Sequence, residues 1–213
     1  SHINLIGQGE EVTILDAMVS MDENNLVTSG GVIFMYNSKN NTISNLMITG
    51  GRAGQGGGIY LYASNPILTN LTIHGNRANT GGGGLYITNS NASLANVSIS
   101  DNQVICPHCS PGVRMEGGGI NLINSTSLIL NNVIINNNLV QKSGGGIVIR
   151  NSNCVINHGV IFGNVAGENG NGIWHVENSH TIMINTIVWN NNIQPSTGLE
   201  ITYSNIQEGW GGE

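Results

Sequence analysis

The chain contains few charged residues, and this shortage already limits its function. Only 8% of its 213 residues are charged and the formal net charge is −6, whereas about 25% of residues are charged in an ordinary globular protein. Nucleic-acid binding depends on clustered Lys and Arg that displace phosphate counterions. The six basic residues form no such cluster, so we expect no nucleic-acid partner.

Long apolar runs are also missing. A membrane-spanning helix needs about 18 consecutive apolar residues, and the sequence has no run of that length, so we expect no membrane span in this chain. Its first residues, SHINLIGQGE, lack the charged start and apolar middle of a signal peptide. An export signal would therefore have been removed or would lie outside this sequence.

What the chain has in abundance is glycine, with 31 residues, and asparagine, with 34. Glycine clusters mark an internal repeat, which is the feature to look for first in such a sequence. Each cluster precedes an apolar residue, and the spacings between these residues are 26, 35, 27, 26 and 26. The marked residues are Ile59, Leu85, Ile120, Ile147, Ile173 and Leu199.

Asparagine forms a second marker in the same register. We interpret this set as an inward ladder, in which each amide bonds to turn backbone and to the asparagine one repeat away. The alternative is that these asparagines favour turns and point outward. The ladder residues are Asn76, Asn102, Asn138, Asn164 and Asn191, and we expect them to lie in one column with low exposure.

Between the markers the apolar residues alternate, as in Ile59 and Leu61, which indicates short half-buried strands. Each unit holds three such strands and is too short to bury a core alone, so it must stack on its neighbours. A three-stranded unit that returns to its start after about 26 residues predicts a parallel β-helix. We expect one all-β domain over residues 1–213, with about seven rungs.

The combination GGGIYL…NLTIHGNRA, followed later by NTIVWNN and ITYSNIQEGWGG, resembles bacterial right-handed parallel β-helix surface proteins. These proteins share the pectate-lyase-like superfold, and the pattern is similar to the chlamydial polymorphic outer-membrane repeats. The resemblance covers nearly the whole chain. It implies a right-handed solenoid at the cell surface or outside the cell, but it implies no activity, because fold does not carry function.

Right-handed β-helices also include polysaccharide lyases and hydrolases, which need paired carboxylates or a calcium cluster of acids. Folded onto the repeat, the acidic residues do not stack: Glu200 falls at the position of Trp174, and Glu177 at that of Tyr203. His158 replaces a turn asparagine. We therefore expect no catalytic, cofactor or metal site, and no sheet face that brings two acids within reach of one ligand.

The 35-residue spacing contains an inserted loop at about residues 105–116, with the motif CPHC. In an exported protein the motif predicts a disulfide between Cys106 and Cys109; exposed thiols, a metal site and a redox motif remain alternatives. The loop lies outside the repeat and should be dispensable for folding. Cys154 replaces Leu128 in its register and is interpreted as a small packing residue.

Aromatic residues and arginines form two partial stripes along the repeat. Tyr60, Tyr86 and Trp174 share one register and either shield the sheet or form a carbohydrate platform, with shielding favoured. Arg52 and Arg77 align one unit apart and are interpreted as a surface pair.

The two ends of the chain depart from the repeat. Near the N-terminus, the resemblance implies a strand through VTILDA, although an amphipathic helix with Val12, Leu15 and Val19 on one face is the alternative. Neither HINLIG at the start nor GWGGE at the end offers a cap. The chain is therefore either a fragment of a longer protein or a subunit that stacks head to tail with its own copies.

These observations predict a non-enzymatic extracellular rod, structural or adhesive. Its partners would be its own copies, or a cell-surface or glycan partner. The alternative function is a carbohydrate-binding or carbohydrate-active module.

Overall fold

The computed structural model describes residues 4–17, 31–193 and 198–207, and in these residues 23 strands form three parallel sheets. Among the described residues no helix is long and apolar enough to cross a membrane. Sheet A holds β1 Leu5–Ile6, β2 Ile14–Asp16, β4 Lys39–Thr49, β7 Asn65–His74, β10 Ser93–Ser100, β13 Leu128–Asn136, β16 Asn153–Asn157, β17 Val160–Phe162, β20 His180–Ile184, β21 Ile187–Trp189, β22 Leu199–Thr202 and β23 Asn205–Ile206. Sheet B holds β3 Ile33–Tyr36, β6 Ile59–Tyr62, β9 Leu85–Thr88, β12 Ile120–Ile123, β15 Ile147–Arg150 and β19 Ile173–Val176. Sheet C holds β5 Arg52–Gln55, β8 Arg77–Gly81, β11 Gln103–Val104, β14 Leu139–Val140 and β18 Val165–Ala166.

Successive strands along the chain belong to different sheets, and each strand pairs with its equivalent one repeat later. In sheet B, for example, Ile59 pairs with Leu85, which pairs with Ile120. The six strands of sheet B and the bridging residue Ile193 give seven levels. The structure is a parallel β-helix with three strands in a rung, as the repeat predicts.

The interior is filled by the alternating residues of the repeat. Inward positions of sheets A and B, such as Ile59, Leu61, Leu68 and Leu94, have no exposed surface. Because the strands pair in register, equivalent residues of successive rungs lie above one another. One such column runs from Leu68 through Leu94, Leu130, Ile156 and Met183. Burial of these columns is the main favourable term in folding.

The glycine clusters serve the turn into sheet B. Gly117 has a φ of 69°, in the left-handed region that glycine tolerates best. Two residues later, a Cβ at Gly119 would lie 2.7 Å from the carbonyl oxygen of Gly146. The cluster therefore combines a left-handed turn with a close approach of backbones.

The marker asparagines form a hydrogen-bonded column inside the turn between sheets A and C. Asn138 Oδ1 accepts bonds of 3.0 Å from both the backbone N–H and the Nδ2 of Asn102. Asn138 Nδ2 donates to Ile99 O and to Asn164 Oδ1, each at 2.9 Å. The pattern repeats along the column, and Asn76, Asn102, Asn138 and Asn164 are buried. Asn191 accepts from Asn164 but is only partly buried.

A column of serines at the turn between sheets B and A was missed by the sequence analysis. Ser90 Oγ accepts from the backbone N–H of Ser64 at 2.9 Å and donates to Thr88 O at 2.8 Å. The column joins adjacent rungs in the same way as the asparagines, and it consists of Ser64, Ser90, Ser125, Ser152 and Ser179. The signal was present, since these serines are spaced at the repeat length.

The last glycine marker was assigned to the wrong sheet. Leu199 pairs with Thr181 in sheet A, whereas the residue beside Ile173 in sheet B is Ile193. Ile193 follows the ladder residue Asn191 by two positions, while Ile173 follows Asn164 by nine. The final turn therefore reaches sheet B without the usual strand of sheet C, and the register of every later residue shifts.

Two predicted alignments fail for this reason. Glu200 pairs with Ile182 and does not share the position of Trp174. Tyr203 follows Thr202, which pairs with Ile184, so it does not share the position of Glu177.

The inserted loop leaves the stack between Val104 and Glu116, which are separated by eleven residues in sequence. In the neighbouring rungs only two residues separate the equivalent positions, namely Asn79 and Thr80 in one rung and Gln141 and Lys142 in the other. Nine residues are therefore extra. Ile105 and Met115 stay at the strand level, because Ile105 donates to Ala78 O and Met115 O accepts from Ser143.

At the N-terminus the strand prediction is confirmed for β2, which pairs with β4. Val19 and the C-terminal GWGGE lie outside the described residues.

We predict that Asn138→Leu lowers the free energy of unfolding by about 1–3 kcal/mol, because four buried partners lose their hydrogen bonds. Denaturant titration followed by circular dichroism measures the change. The matched control is Asn131→Leu, since Asn131 is an exposed strand residue whose side chain accepts one long bond of 3.3 Å from Asn157. Equal losses in the two variants would contradict a structural role for the column.

We predict that deleting residues 106–114 leaves the fold intact. Ile105 and Met115 would then join Val104 to Glu116 with the two-residue spacing of the neighbouring rungs. Far-ultraviolet circular dichroism and the urea midpoint should match those of the parent within error. A deletion of the same length over residues 128–136, which removes β13, is the control and should unfold the chain.

Candidate functional site

Aromatic rings stack on the outer face of sheet B. The ring centroids of Phe34 and Tyr60 are 5.0 Å apart, and those of Tyr60 and Tyr86 are 5.2 Å apart, with interplanar angles of 15° and 9°. Tyr36 stacks on Tyr62 in the next column at 5.1 Å. The alignment of Tyr60 with Tyr86 is confirmed, and sequence analysis missed Phe34 and Tyr36. Their signal was GGVI, whose Ile33 precedes Ile59 by one repeat of 26 residues.

This stack acts mainly on the sheet itself. The faces of the Tyr60 ring meet Phe34 and Tyr86, so they are not available to a sugar. Burial raises the pKa of the Tyr86 hydroxyl, and the nearby Tyr60 and Glu116 raise it further, which keeps the stack uncharged. Trp174 shares the column, but Asn121 and Val148 separate it from Tyr86.

Near Trp174 the outer face carries a cluster of ions. The Arg150 side chain, only 8% exposed, donates from Nη2 to Glu116 Oε1 at 2.7 Å and from Nη1 to Glu177 Oε1. Its guanidinium carbon lies 5.6 Å from the centroid of the Trp174 ring, within cation–π range. Arg150 Nε is buried and has no hydrogen-bond partner among the described residues.

Each residue of this ion cluster is positioned by a different part of the repeat. Arg150 ends β15, and Trp174 lies in β19, one rung later. Glu116 ends the inserted loop and is held by parallel bridges to Gly81 and Ser143. Glu177 follows β19 at a corner, with a φ of 59°. Arg150 thus joins carboxylates that belong to the rung before it and the rung after it.

Three of these side chains, Glu116, Arg150 and Trp174, border a cleft of about 260 Å³. Lys142 lies at its edge, where Nζ donates to Val113 O of the inserted loop at 2.7 Å. The cleft combines one aromatic ring with several charged and hydroxyl groups; it is lined by Arg114, Met115, Glu116, Lys142, Ser143, Arg150, Glu168, Trp174 and Val176. We name this site the Arg150 cleft.

The expectation that no face brings two acids together was wrong. Glu116 and Glu177 both contact Arg150, although neither shares its column, whose neighbouring members are Ile123 and Val176. A comparison of equivalent positions cannot detect such a cluster, because it depends on a long side chain that reaches across columns. One acid also lies in an insertion and the other at a corner.

In this cluster both carboxylates are engaged by Arg150. Glu116 and Glu177 each accept a hydrogen bond from its guanidinium, and the Arg150–Glu116 pair is buried. With both Glu116 and Glu177 bonded to Arg150, this arrangement supplies fixed charges and hydrogen-bond acceptors.

The remaining candidate residues lie in a disulfide, in the core and at a turn. Cys106 and Cys109 form a disulfide in the inserted loop. Burial raises the pKa of the Cys154 thiol to about 12, consistent with a packing residue. His158 has a φ of 53° and occupies the turn position of Asn132. Over the described residues no three or more His, Cys, Asp or Glu are grouped to hold a metal ion.

The outer face of sheet A changes character along the rod. Two of its columns are polar in the rungs of β7 and β10, with Thr72, His74, Ser98 and Ser100. In three later rungs five of their six residues are apolar, the exception being Asn136, and we name these five residues the apolar facet. Its members are Ile134, Val160, Phe162, Ile187 and Trp189, and Trp189 is 54% exposed.

Comparison with known proteins agrees with this geometry. A family model described as a right-handed β-helix region matches residues 3–206. Searches of curated proteins and of solved structures gave no match. The match spans most of the chain, and the three parallel sheets stack as that family requires, so the chain belongs to the right-handed β-helix family.

Proposed function

We propose that this protein is a non-enzymatic, extracellular adhesive rod that binds a saccharide in the Arg150 cleft. The observation that supports this proposal is that the Trp174 ring, Arg150 and its buried partner Glu116 line one cleft. A sugar presents an apolar face of C–H groups and a rim of hydroxyls. The cleft offers a ring for the first and charged hydrogen-bonding groups for the second.

The size and the lining of the cleft favour a small, polar ligand. Its volume of about 260 Å³ lies slightly below the usual range for drug-sized ligands, and such sites are mostly apolar. Here charged residues outnumber apolar ones. One or two sugar units of a longer chain fit this description better than an apolar molecule does.

A binding role without catalysis is supported by the ion pairs. Glu116 and Glu177 are tied to the same guanidinium, and moving Glu116 to act on a substrate would break a buried ion pair, which is costly. An extracellular location is supported by the disulfide, because such bonds persist mainly in oxidising compartments.

We predict that Trp174→Ala weakens saccharide binding at least about tenfold, the effect of losing one central contact. A panel of oligosaccharides is screened by array, and its hits are titrated by calorimetry. Trp189→Ala is the matched control, since it removes an exposed tryptophan from another face. Binding by Trp174→Ala equal to that of the parent would contradict the proposed site.

The same samples should release no reducing ends or unsaturated uronides from polygalacturonate or xylan, with or without calcium. Release above a heat-killed control would contradict the non-enzymatic part of the proposal.

A second candidate function, a structural rod that pairs side by side with another copy, is favoured by the apolar facet. Its five side chains expose roughly 400 Å², which is at the level of the largest patches on ordinary monomers. A two-fold pair would bury about 800 Å² from these residues alone, so contacts at the rim must bring it toward the roughly 1,200 Å² of a stable interface. We therefore expect weak pairing.

Charge supports a second copy as the occupant of the facet. The chain has a net charge of −6, yet in the three rungs of the facet its two columns include no Asp, Glu, Lys or Arg. Two copies can approach here without opposing their carboxylates. The head-to-tail stacking expected from the sequence stays a prediction.

We predict that the parent forms dimers as its concentration rises from micromolar to millimolar, and that Ile134→Thr/Val160→Thr/Ile187→Thr prevents this. Threonine suits an exposed strand and occurs in the same column at Thr72. Sedimentation equilibrium measures the mass, and Ile67→Thr, which changes an exposed isoleucine in an earlier rung, is the control. A parent that stays monomeric would exclude this pairing.

A further inference from the structure

Two arginines lie side by side at the corner between sheets A and C. Arg52 begins β5 and Arg77 begins β8, and the two residues pair in register in adjacent rungs. Strands in a sheet are about 4.8 Å apart, so two positive side chains start from neighbouring positions. The next residues in this column are Gln103, Leu139 and Val165, so among its described members the charge is confined to Arg52 and Arg77.

Neither guanidinium is neutralised by the described part of the chain. No carboxylate in the described ranges forms an ion pair with Arg52 or Arg77, and the bond from Arg77 Nη2 to Ile105 O at 3.2 Å is made to an uncharged carbonyl. Arg52 Nη1 and Arg77 Nε are buried, and neither has a hydrogen-bond partner in that part of the chain. Buried donors without acceptors are costly, and like charges at opposed strand positions repel. A negatively charged acceptor would give the buried N–H groups a partner and would also reduce the repulsion between the two guanidinium groups.

A cavity of about 400 Å³ lies next to this pair. Part of its lining is formed by Gly50 and Gly75, which have positive φ values and no side chains to fill the space. Asp16 and Asp101 also line it. Asp101 Oδ2 lies 3.4 Å from His74 Nδ1, outside the arginine pair. The cavity thus places two cations beside additional oxygen acceptors.

We propose that Arg52 and Arg77 bind the oxyanion group of an acidic saccharide. The planar guanidinium groups suit carboxylate or sulfate oxygens, which accept paired N–H bonds. Asp16, Asp101 and the amide of Gln103 are placed to bind hydroxyl groups on the same ligand. The lining has no large apolar side chain, so a hydrophilic ligand fits it best.

This site is separate from the Arg150 cleft, which lies on sheet B and shares no lining residue with it. A rod with two such sites would hold an acidic saccharide at one position and the ring face of a sugar at another. The proposal does not depend on binding in the Arg150 cleft.

The test titrates the whole chain with sodium glucuronate, sodium sulfate and glucose by calorimetry at fixed ionic strength. We expect glucuronate to bind, glucose not to bind, and Arg52→Gln and Arg77→Gln each to weaken glucuronate binding at least tenfold. Trp174→Ala, the control for the Arg150 cleft, should bind glucuronate as the parent does. A thermal melt of each variant without ligand verifies that it is folded.

Three results would overturn the proposal. Equal binding of glucose and glucuronate would remove the role of the oxyanion, and binding of sulfate alone would leave a site for free anions and no saccharide site. Loss of glucuronate binding in Trp174→Ala, with binding retained in Arg52→Gln and Arg77→Gln, would place the ligand in the Arg150 cleft. Arg77→Gln also loses its bond to Ile105 O, so Arg52→Gln carries the conclusion if Arg77→Gln does not fold.

Discussion

The hydrogen-bonded register between rungs is the constraint on which the rest of this structure depends. Every turn of a parallel β-helix brings polar backbone groups to the interior, and a buried polar group without a partner is costly. The asparagine column meets this need, because each amide both accepts from one rung and donates to another, as Asn138 does. Once that register is fixed, each position in the repeat becomes a column, and the apolar core follows.

A repeated backbone makes interruptions of the repeat the places where distinct chemistry can arise. Glu116 reaches the face of sheet B at the end of a nine-residue insertion, and Glu177 occupies a corner with positive φ. Arg150 then joins them across three rungs. Since the strands below are held by the ladder and the core, the ion cluster rests on a rigid support, as a preorganised binding site requires.

The sequence was sufficient to predict what is repeated. Two markers at a period near 26 residues located the strands, the inward columns and the asparagine ladder. They also assigned the insertion to one rung. The Arg150 cluster could not be found in this way, since it joins different columns through side chains whose reach the period does not describe. Leu199 was misplaced for a related reason: the last turn omits one strand, while the glycine before Leu199 imitates the marker.

The outer columns of sheet A show that the same backbone pairing can carry different surfaces in different rungs. Backbone pairing is the same in early and late rungs, so replacing Thr72 and Ser98 by Ile134 and Val160 in one column costs the fold little. Outward strand positions respond mainly to their neighbours and to solvent. The apolar residues that face outward in these three rungs do not contribute to the interior, whose columns are already filled. The same backbone pairing thus carries an apolar facet in late rungs and a pair of arginines, Arg52 and Arg77, in two early rungs.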